Sequence, residues 1–334
     1  MLRYLLFPFS LLYGLIIRLR HWLFDIGLLK SVTPKANYIV IGNLSMGGTG
    51  KSPFTRWLAE KLLPGYRIAI LSRGYGRTTR GFRIVQSSDT AELCGDEPLE
   101  FRMSLPPQVT VAVCENRVQG IEELLKLPHP PELILLDDAL QHRRLSGGFR
   151  ILLTTWKRPY YKDFLFPVGY LRDEKKAAKR AHALVFSKCP ELANEEMVEV
   201  AKRSGFDGPV SFCKLKYGEI QGKSAVQTSD TFMAITGIAH PEEFIAEAGR
   251  RVKIAEIRKF ADHHTFSTAE LQSMAAACKE RQWSIITTQK DLMRLTPHLR
   301  QELDGINVTF LPVSPDFIAG ESELLSQIRN YLHA

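Results

Sequence analysis

Cysteine is scarce and irregularly placed in this sequence of 334 residues. The number of cysteines is odd, and no two of them have the C-x-x-C spacing that is typical of zinc and redox sites. This pattern argues against a disulfide framework or a cysteine-based zinc site, and it favours a reducing compartment. The cysteines are Cys94, Cys114, Cys189, Cys213 and Cys278.

The sequence also lacks an ordinary membrane-spanning segment at its apolar N-terminus. Between Arg3 and Arg18 the chain is uncharged, but this run covers only residues 4–17, whereas a spanning helix needs about 20 residues. Pro8 and Gly14 interrupt the run. A signal peptide is a poor interpretation too, because Arg18 and Trp22 stand where small residues would mark a cleavage site.

The N-terminal segment, residues 1–30, instead predicts an amphipathic helix. One helical face collects apolar side chains, and the charged side chains fall outside it. Such a helix suits a membrane interface, although the same pattern allows a helix packed on the protein's own core. The length of the uncharged run favours the membrane. The apolar face consists of Leu15, Leu19, Trp22, Leu23 and Ile26, and the residues outside it are Arg18, Arg20, His21 and Asp25.

Internal repeats and low-complexity tracts are absent as well. With 45% hydrophobic and 24% charged residues, the composition is that of a globular protein without a disorder signature. The length suggests about two domains. A net charge of +8 and a pI near 9.2 fit an anionic partner, such as a nucleic acid, a nucleotide or an anionic membrane surface.

After the N-terminal helix, apolar strands alternate with helices. Continuously apolar strands between helices predict a parallel sheet that is covered on both faces. Strands are expected at 37–43, 67–75, 109–114, 132–140, 150–156 and 182–189, and helices at 52–63 and 116–127.

A second series of strands and helices follows. We expect a domain boundary near 205–230, which divides the chain into an N-terminal helix (1–30), a larger domain (31–215) and a smaller α/β domain (216–334) that closes over the active site. The second series consists of segments 231–238, 241–250, 253–260, 267–282, 284–291, 307–314 and a last helix near 320–333.

A glycine-rich loop follows the first predicted strand and precedes a helix. It matches the phosphate-binding pattern G-x-x-x-x-G-K-[ST], except that serine replaces the first glycine. The backbone N–H groups and the helix N-terminus favour phosphate oxygens, while the lysine reaches the β- and γ-phosphates and the last serine binds Mg²⁺. A chance Gly-Lys-Ser turn is disfavoured by this context. The loop consists of Ser45, Met46, Gly47, Gly48, Thr49, Gly50, Lys51 and Ser52.

The strand expected at 132–140 contains the sequence LILLDD (133–138), which ends in two acids, Asp137 and Asp138. Acids at this position are typical of the magnesium side of a P-loop site, although they also occur in simple strand-end turns. Both can face one metal only if the strand ends there, because side chains alternate along a strand. Met46 stands where dimeric partitioning ATPases carry an extra lysine, which argues against that class. The expected fold is therefore an α/β, P-loop NTPase-type parallel sheet.

Three further stretches carry groups for phosphoryl transfer. The arginine- and glycine-rich segment 72–83 is able to wrap an anion, but it equally fits a solvated loop or an RNA-binding segment. Asp96 and Glu97, just before a proline, supply a base and a metal ligand, or merely cap a helix. Asp262, His263 and His264 form a third group, in which one histidine at the cleft is the simplest expectation.

Together these residues resemble the tetraacyldisaccharide 4′-kinases, the lipid A 4′-kinases of Gram-negative bacteria. The resemblance covers nearly the whole chain, and its motifs occur in the family's order. Two stretches depart from the family pattern, Ala139-Leu140 after the acid pair and the segment 166–173. The matching motifs are GNLSMGGTGKSP (42–53), LSRGYGR (71–77), GDEP (95–98), ENR (115–117), DDALQH (137–142), LRD (171–173), GIAHPEEF (237–244), FADHH (260–264) and TTQKD (287–291).

The resemblance implies transfer of the γ-phosphate of ATP to the 4′-hydroxyl of an acylated glucosamine disaccharide 1-phosphate. It also implies Mg²⁺ as a cofactor and a location at the cytoplasmic face of the bacterial inner membrane, with no obligate protein partner. The resemblance implies that Lys51 and its loop bind the phosphates, and that Asp96 acts as the base with His263. It implies metal binding by Ser52, Glu97 and Asp137 or Asp138. The implied acceptor-binding residues are Tyr75, Arg117, His142 and Arg172. Two interpretations of TTQKD (287–291) stay open: a contact with the base of the nucleotide, or a strand-to-helix turn.

Two other functions remain as alternatives. A membrane-attached P-loop switch ATPase with a protein partner fits the loop and the N-terminus, but it has no use for Asp96 and His263. A nucleic-acid-binding protein fits the arginine segment but leaves the apolar N-terminus unexplained. We therefore expect no nucleic acid partner.

Overall fold

The computed structural model describes residues 5–222, 230–295 and 301–334. Arg3 and part of the expected boundary at 205–230 lie outside the described residues. The helices in these ranges are α1 (Phe7–Asp25), α2 (Lys51–Leu62), α3 (Ala91–Cys94), α4 (Asp96–Ser104), α5 (Arg117–Leu125), α6 (Asn194–Ser204), α7 (Glu242–Arg251), α8 (Thr268–Arg281), α9 (Gln289–Leu295) and α10 (Glu321–His333).

The strands form two sheets, one of nine strands and one of five. The larger sheet has the order β14-β8-β7-β6-β1-β5-β2-β4-β3, and the smaller has the order β11-β10-β12-β13-β9. The strands, in chain order, are β1 (Tyr38–Asn43), β2 (Ile68–Ser72), β3 (Arg83–Ile84), β4 (Thr110–Val113), β5 (Leu133–Leu136), β6 (Phe149–Thr155), β7 (Ala183–Ser187), β8 (Val210–Tyr217), β9 (Gln221–Gly222), β10 (Thr231–Thr236), β11 (Lys253–Lys259), β12 (Ser284–Thr288), β13 (Val308–Leu311) and β14 (Val313–Ala319).

The centre of the larger sheet is parallel and buried on both faces. Every residue of β1, β2 and β5 is buried, as the continuous apolar runs predicted. In the strand order β1 lies beside β5, and β5 lies beside β2. Since parallel strands end at one edge of a sheet, the loops after these three strands meet there. The α/β prediction with a covered parallel sheet is confirmed.

The last strand of the chain does not belong to the smaller sheet. β14 pairs antiparallel with β8 at the edge of the larger sheet, and Leu324 and Ile328 of α10 join the larger core. The pattern at 307–314 therefore contains two strands in different sheets. Segment 284–291 of the second series holds a strand and the start of a helix, because β12 ends at Thr288 and α9 begins at Gln289. The pairing of β14 depends on an edge of β8 distant in sequence, so a local pattern cannot report it.

Helix α1 contacts the protein through small and polar residues and, near its end, through the buried Phe24. Ser10 and Gly14 are buried, and the Ser10 hydroxyl donates to the Leu165 carbonyl at 2.8 Å. Farther along the helix, His21 contacts Asp173 at 2.6 Å, and Arg18 contacts Glu174 at 2.6 Å. The docking of α1 on the protein therefore depends on polar contacts.

Most apolar side chains of α1 point away from the protein, with Phe24 as the buried exception. Leu15 is 62% exposed, Leu19 54% and Trp22 55%, whereas Leu23 of the expected apolar face is only partly exposed. No helix in residues 5–222, 230–295 and 301–334 is long and apolar enough to cross a membrane. The other strongly exposed apolar residues of this surface are Leu11, Leu12, Ile16 and Ile26.

A buried arginine joins the two sheets. The Arg56 guanidinium on α2 donates to Glu100 Oε1 on α4 at 3.3 Å and to Gln289 Oε1 on α9 at 2.6 Å. It also donates to the carbonyl oxygen of Val313. Gln289 in turn donates to the Ser104 hydroxyl at 2.6 Å. These contacts hold α9, which follows a strand of the smaller sheet, against α4, which packs on the larger sheet.

Replacing Arg56 with methionine is expected to lower the free energy of unfolding by about 3 kcal/mol, because Glu100 loses the partner of its buried carboxylate. Burial already raises the pKa of Glu100 to about 7, so partial protonation limits the loss. Urea unfolding measures the effect. The control is Lys61→Met on the same helix, whose exposed pair with Glu321 contributes about 0.5 kcal/mol. Equal stability of the two variants would contradict the role assigned to Arg56.

Candidate active site

The glycine-rich loop connects β1 to α2 at the carboxyl edge of the larger sheet. Gly47 and Gly50 have φ of 95° and 80°, a region that favours glycine, and α2 begins at Lys51 directly after Gly50. The N-terminus of α2 therefore presents backbone N–H groups at the edge where the strand ends. This is the geometry of an anion site for phosphate.

The serine at the first position of the loop fits its backbone. Ser45 forms a bridge with Leu171, and the Met46 N–H donates to the Tyr170 carbonyl at 2.7 Å. Ser45 is not among the residues with positive φ. The conformational freedom of glycine is therefore not required there, which explains why the loop tolerates serine.

Asn43, to which sequence reasoning gave no role, holds the loop from inside. Its buried side-chain amide donates to the Ser45 carbonyl at 2.8 Å and to the Thr49 hydroxyl at 2.9 Å. Its Oδ1 accepts from Lys51 Nζ at 3.3 Å and from Arg172 Nη2 at 2.5 Å. The signal for Asn43 was its place at the end of β1 next to the loop. It aligns Lys51 with the loop.

The two acids after β5 take different directions because the strand ends at Leu136. Asp137 is fully buried and accepts from the hydroxyls of Thr55 at 3.4 Å and Ser72 at 3.3 Å. Asp138 has a φ of 48° and turns toward Lys51 Nζ, 3.7 Å away. One acid thus lies under the loop and the other beside its lysine.

Their surroundings separate the pKa values of the two acids. Burial, with the neighbouring charges of Glu97 and Asp138, raises the pKa of Asp137 to about 7. Burial also opposes ionisation of Asp138, but Lys51 and Arg172 outweigh it and hold the pKa of that carboxyl below its usual range. Clustered carboxylates and a serine hydroxyl are hard oxygen donors of the kind that Mg²⁺ prefers.

The substitutions after the acid pair are accommodated in the core. Ala139 and Leu140 are both 4% exposed. A Cβ placed on Gly42 would lie 2.5 Å from the Leu140 Cβ, so the glycine before Asn43 lets this turn approach β1 closely. Ala139 and Leu140 therefore pack beside β1 directly after the acid pair, and the Ala139 N–H donates to the Ile41 carbonyl at 3.2 Å.

Asp96 is the first residue of α4 and is 6% exposed. Its Oδ1 accepts from the Glu97 N–H at 2.9 Å, and its Oδ2 accepts from Arg294 Nε at 3.2 Å. Burial opposes its ionisation, but His263, Lys290 and Arg294 together hold the pKa of Asp96 well below its usual range. Asp96 is therefore a carboxylate at neutral pH.

His263 contacts Asp96 from the smaller sheet's layer. Its Nδ1 lies 2.9 Å from Asp96 Oδ2, and its φ of 59° turns it out of the loop after β11. His264 faces elsewhere and contacts Glu270 at 3.1 Å. Only one of the adjacent histidines thus reaches the cleft. We expected closure of the two domains to bring His263 to Asp96, and in the structure these two side chains are in contact.

The TTQKD segment also reaches this cluster, which sequence reasoning left undecided. Lys290 Nζ lies 3.4 Å from Glu97 Oε1, and Arg294, one turn later, contacts Asp96. Neither residue was a candidate, because nothing local distinguishes a lysine and an arginine at the start of a helix from solvated charges. TTQKD is both a strand-to-helix turn and a contributor to the site.

The expected acceptor-side residues fall in two groups. Tyr75 is 67% exposed, with its ring centroid 5.3 Å from that of His263, and Arg172 donates to Asp138 Oδ2 at 2.9 Å. Arg117 is instead 3% exposed and donates to the Asp137 carbonyl at 3.1 Å, and burial lowers its pKa to about 10. Burial and the charge of Arg117 lower the pKa of His142 to about 4. In this geometry Arg117 supports the acid pair from behind.

No group of three or more His, Cys, Asp or Glu side chains with the geometry of a metal site is found in the part of the chain that the structure describes. A magnesium ion at a phosphate site typically takes one or two carboxylates and completes its shell with water and phosphate oxygens. Ser52, Glu97, Asp137 and Asp138 fit that smaller requirement. Each of the five cysteines is buried, so none offers a thiolate to the cleft.

Comparison with known proteins gives one family throughout. A family model described as Tetraacyldisaccharide-1-P 4′-kinase matches residues 2–333. A Tetraacyldisaccharide 4′-kinase of Flavobacterium psychrophilum is 38% identical, over 100% of this chain and 98% of the relative. Another from Cytophaga hutchinsonii is 34% identical, over 98% and 95%. The crystal structure of LpxK from Aquifex aeolicus in complex with ATP superposes with a TM-score of 0.77 and 30% identity, covering 99% of each chain.

Proposed function

The chain belongs to the tetraacyldisaccharide 4′-kinase family, and we propose on this basis that its cleft transfers the γ-phosphate of ATP to the 4′-hydroxyl of an acylated glucosamine disaccharide 1-phosphate. The observation that carries the proposal is the contact of 2.9 Å between His263 and the buried carboxylate of Asp96. A kinase needs a base for its acceptor hydroxyl, whereas a switch ATPase has no use for one at this place.

The loop and Lys51 hold the triphosphate in this proposal. The N–H groups of residues 45–52 and the N-terminus of α2 bind phosphate oxygens, and Lys51 moves from Asp138 to the β- and γ-phosphates. Ser52, Glu97, Asp137 and Asp138 would hold Mg²⁺, which, when bound, neutralises phosphate charge and fixes the γ-phosphate for in-line attack. Arg172 keeps Asp138 ionised while Lys51 is engaged by the nucleotide.

Asp96 then accepts the proton of the acceptor hydroxyl. His263 and Arg294 occupy its Oδ2 and the Glu97 N–H occupies one site on Oδ1, so the remaining lone pair of Oδ1 is available for the proton. A sugar hydroxyl ionises far above neutral pH, so removing its proton during attack lowers the barrier. Tyr75, exposed beside His263, is the side chain that we place against the sugar.

The nucleic-acid alternative loses support from the arginine segment itself. Arg77 donates to Glu115 Oε1 at 2.7 Å and to the Gly81 carbonyl at 2.6 Å, so its charge is already engaged within the protein. We propose that the segment shapes one wall of the acceptor site and that nucleic acid is not a partner. No step of the proposed reaction needs a second protein.

The test of the proposed function is transfer of radiolabelled γ-phosphate from ATP to acylated disaccharide 1-phosphate in detergent. Labelled lipid formed by the wild-type protein supports the proposal. Release of free phosphate without labelled lipid would favour the switch ATPase and remove the acceptor assignments.

We propose that α1 lies in the interface of the cytoplasmic face of the bacterial inner membrane. The helix docks through Ser10, Gly14, His21 and Phe24, which leaves most of its other apolar side chains exposed. An exposed apolar surface of this extent marks a binding surface. Phe164 and Phe166, 51% and 44% exposed, extend it where Ser10 contacts Leu165. Basic side chains beside it, such as Lys175 over the Phe164 ring, suit anionic lipid.

Replacing Leu12, Leu15, Leu19 and Trp22 together with glutamine is expected to weaken binding to anionic phospholipid vesicles about 1,000-fold. Each side chain leaving the interface loses on the order of 1 kcal/mol of transfer free energy. Co-sedimentation with vesicles measures the change. The control pair is Val198→Gln and Ile257→Gln, at exposed apolar positions on other elements. Unchanged vesicle binding by the quadruple variant would exclude this surface as the membrane contact.

The division into domains follows the sheets in our proposal. We assign the N-terminal helix to residues 1–30 and keep 31–215 as the larger kinase domain. Because β14 and α10 pack on the larger sheet, we propose that the smaller domain ends near residue 311 and that the chain then returns to the larger one.

A further inference from the structure

The beginning of α9 lies against the residues that would perform the transfer. α9 follows β12 without a loop, so Gln289 and Lys290 emerge at the carboxyl end of a parallel strand of the smaller sheet. This end faces α4, the helix that begins with Asp96 and Glu97. Two sheets thus present their carboxyl edges to one cleft.

Buried polar contacts fix the start of α9. Asp291 is fully buried and accepts from the Thr288 hydroxyl at 2.7 Å and from the Gly237 N–H at 3.0 Å. Arg294 donates to Asp291 at 2.9 Å and, through Nε, to Asp96 at 3.2 Å. Breaking such buried contacts is costly, so the helix start is held firmly.

Lys290 lies between the proposed base and the proposed metal acid. Its Nζ is 3.4 Å from Glu97 Oε1, 3.9 Å from Asp96 Oδ2 and 3.2 Å from His263 Nε2. An ammonium group only donates, so Nε2 accepts and the His263 proton sits on Nδ1, facing Asp96. The two carboxylates flank the Lys290 ammonium, and a lysine side chain is ordinarily a cation at neutral pH.

We propose that Lys290 contacts the transferred phosphoryl group, as a second lysine opposite Lys51. This rests on the proposed function. The acceptor oxygen, losing its proton to Asp96, bonds to the γ-phosphorus while the bond from that phosphorus to the β,γ-bridging oxygen breaks and ADP leaves with the electron pair. The γ-phosphoryl group passes between the base and the metal acid, where the Lys290 ammonium lies. It stays protonated throughout and offsets charge on the phosphoryl oxygens.

A purely structural role explains the position less well. The connection between α4 and α9 is already made by Arg294 with Asp96 and by Arg56 with Gln289. The contacts of Lys290 are all with residues of the proposed transfer machinery. The side chain is also 20% exposed at the cleft, whereas that of Arg294 is 7% exposed, so Lys290 alone of the two has room to reach a ligand.

The experiment compares kcat for lipid phosphorylation in Lys290→Met, Lys290→Arg and Lys290→Cys, the last with and without alkylation by 2-bromoethylamine. Alkylation rebuilds an ammonium at nearly the length of lysine. The native cysteines are all buried, which protects them, and wild-type protein is treated in parallel. Lys279→Met on α8, an exposed position, is the matched control for loss of one charge.

Lys290→Met is expected to lower kcat about 100-fold or more, with KM for the lipid and the melting temperature little changed. Lys290→Arg and alkylated Lys290→Cys should regain a large part of kcat. Retention of kcat within about twofold in Lys290→Met, or a loss that follows the melting temperature and resists alkylation, would overturn the contact. Failure of the wild type to label lipid would overturn the proposed acceptor together with it.

Discussion

Asp96→Asn lowers kcat for lipid phosphorylation by about 1,000-fold in our expectation, because asparagine keeps the shape of the side chain but takes up no proton. Asp96 Oδ2 lies 2.9 Å from His263 Nδ1 and 3.2 Å from Arg294 Nε, and these contacts fix the orientation of the carboxylate that we propose as the base. Since the pKa of Asp96 lies well below its usual range, the wild-type group is ionised throughout the neutral range. Initial rates of labelled lipid formation at saturating ATP measure the change.

The control for Asp96→Asn is Glu92→Gln, an exposed carboxylate on the preceding helix α3. It should stay within about twofold of the wild type, as surface substitutions usually do. Asparagine also leaves the Arg294 charge without its acidic partner, so the melting temperature is recorded alongside. A folded Asp96→Asn protein with near wild-type kcat would show that another group removes the proton.

Lys51→Met is the second large effect, with an expected loss of about 100- to 1,000-fold in kcat/KM for ATP. Lys51 Nζ lies 3.7 Å from Asp138 and 3.3 Å from Asn43, at the N-terminal start of α2 where we place the phosphates. Removing it takes away a positive charge in the transition state. Asp138 keeps Arg172 as partner, so the folded state should tolerate the change. Steady-state kinetics with varied ATP check this.

Lys61→Met on the same helix is the matched control for Lys51→Met. Lys61 is exposed and pairs with Glu321 far from the loop, so its loss should leave kcat/KM within about twofold. If Lys51→Met raised KM for ATP without lowering kcat, the lysine would bind substrate and transition state equally. Its assigned part in the transfer would then be wrong.

The phosphate loop and the acid pair were predictable because each is a local pattern tied to one strand. β1 runs into residues 45–52, and β5 runs into Asp137 and Asp138, so the end of a strand alone places each group at the sheet edge. The order of the strands, with β5 between β1 and β2, then brings them together. The fold class followed from the same alternation of buried strands and helices.

The surroundings of Asp96 were only partly predictable. Asp96 and His263 stood out as candidate catalytic residues in short motifs. Lys290 belonged to TTQKD without an assigned role and Arg294 to no motif, since a lysine and an arginine in a helix are ordinary surface residues. Their partners are distant in the chain: Lys290 and Glu97 are 193 positions apart, and Arg294 and Asp96 are 198 apart. Only the packing of α9 on α4 makes these charges neighbours.

The sequence by itself determined which segments form the phosphate loop, the acid-ended strand and the amphipathic N-terminal helix, because each depends on local backbone preference and the alternation of apolar residues. The tertiary structure alone decided that α1 turns most of its apolar side chains outward and that β14 pairs with the larger sheet. It also decided that Asp96 is surrounded by the Glu97 N–H of α4, by Lys290 and Arg294 of α9 and by His263 of the loop after β11. The physical reason is that burial and charge pairing depend on which distant surfaces meet, and no local pattern encodes that meeting.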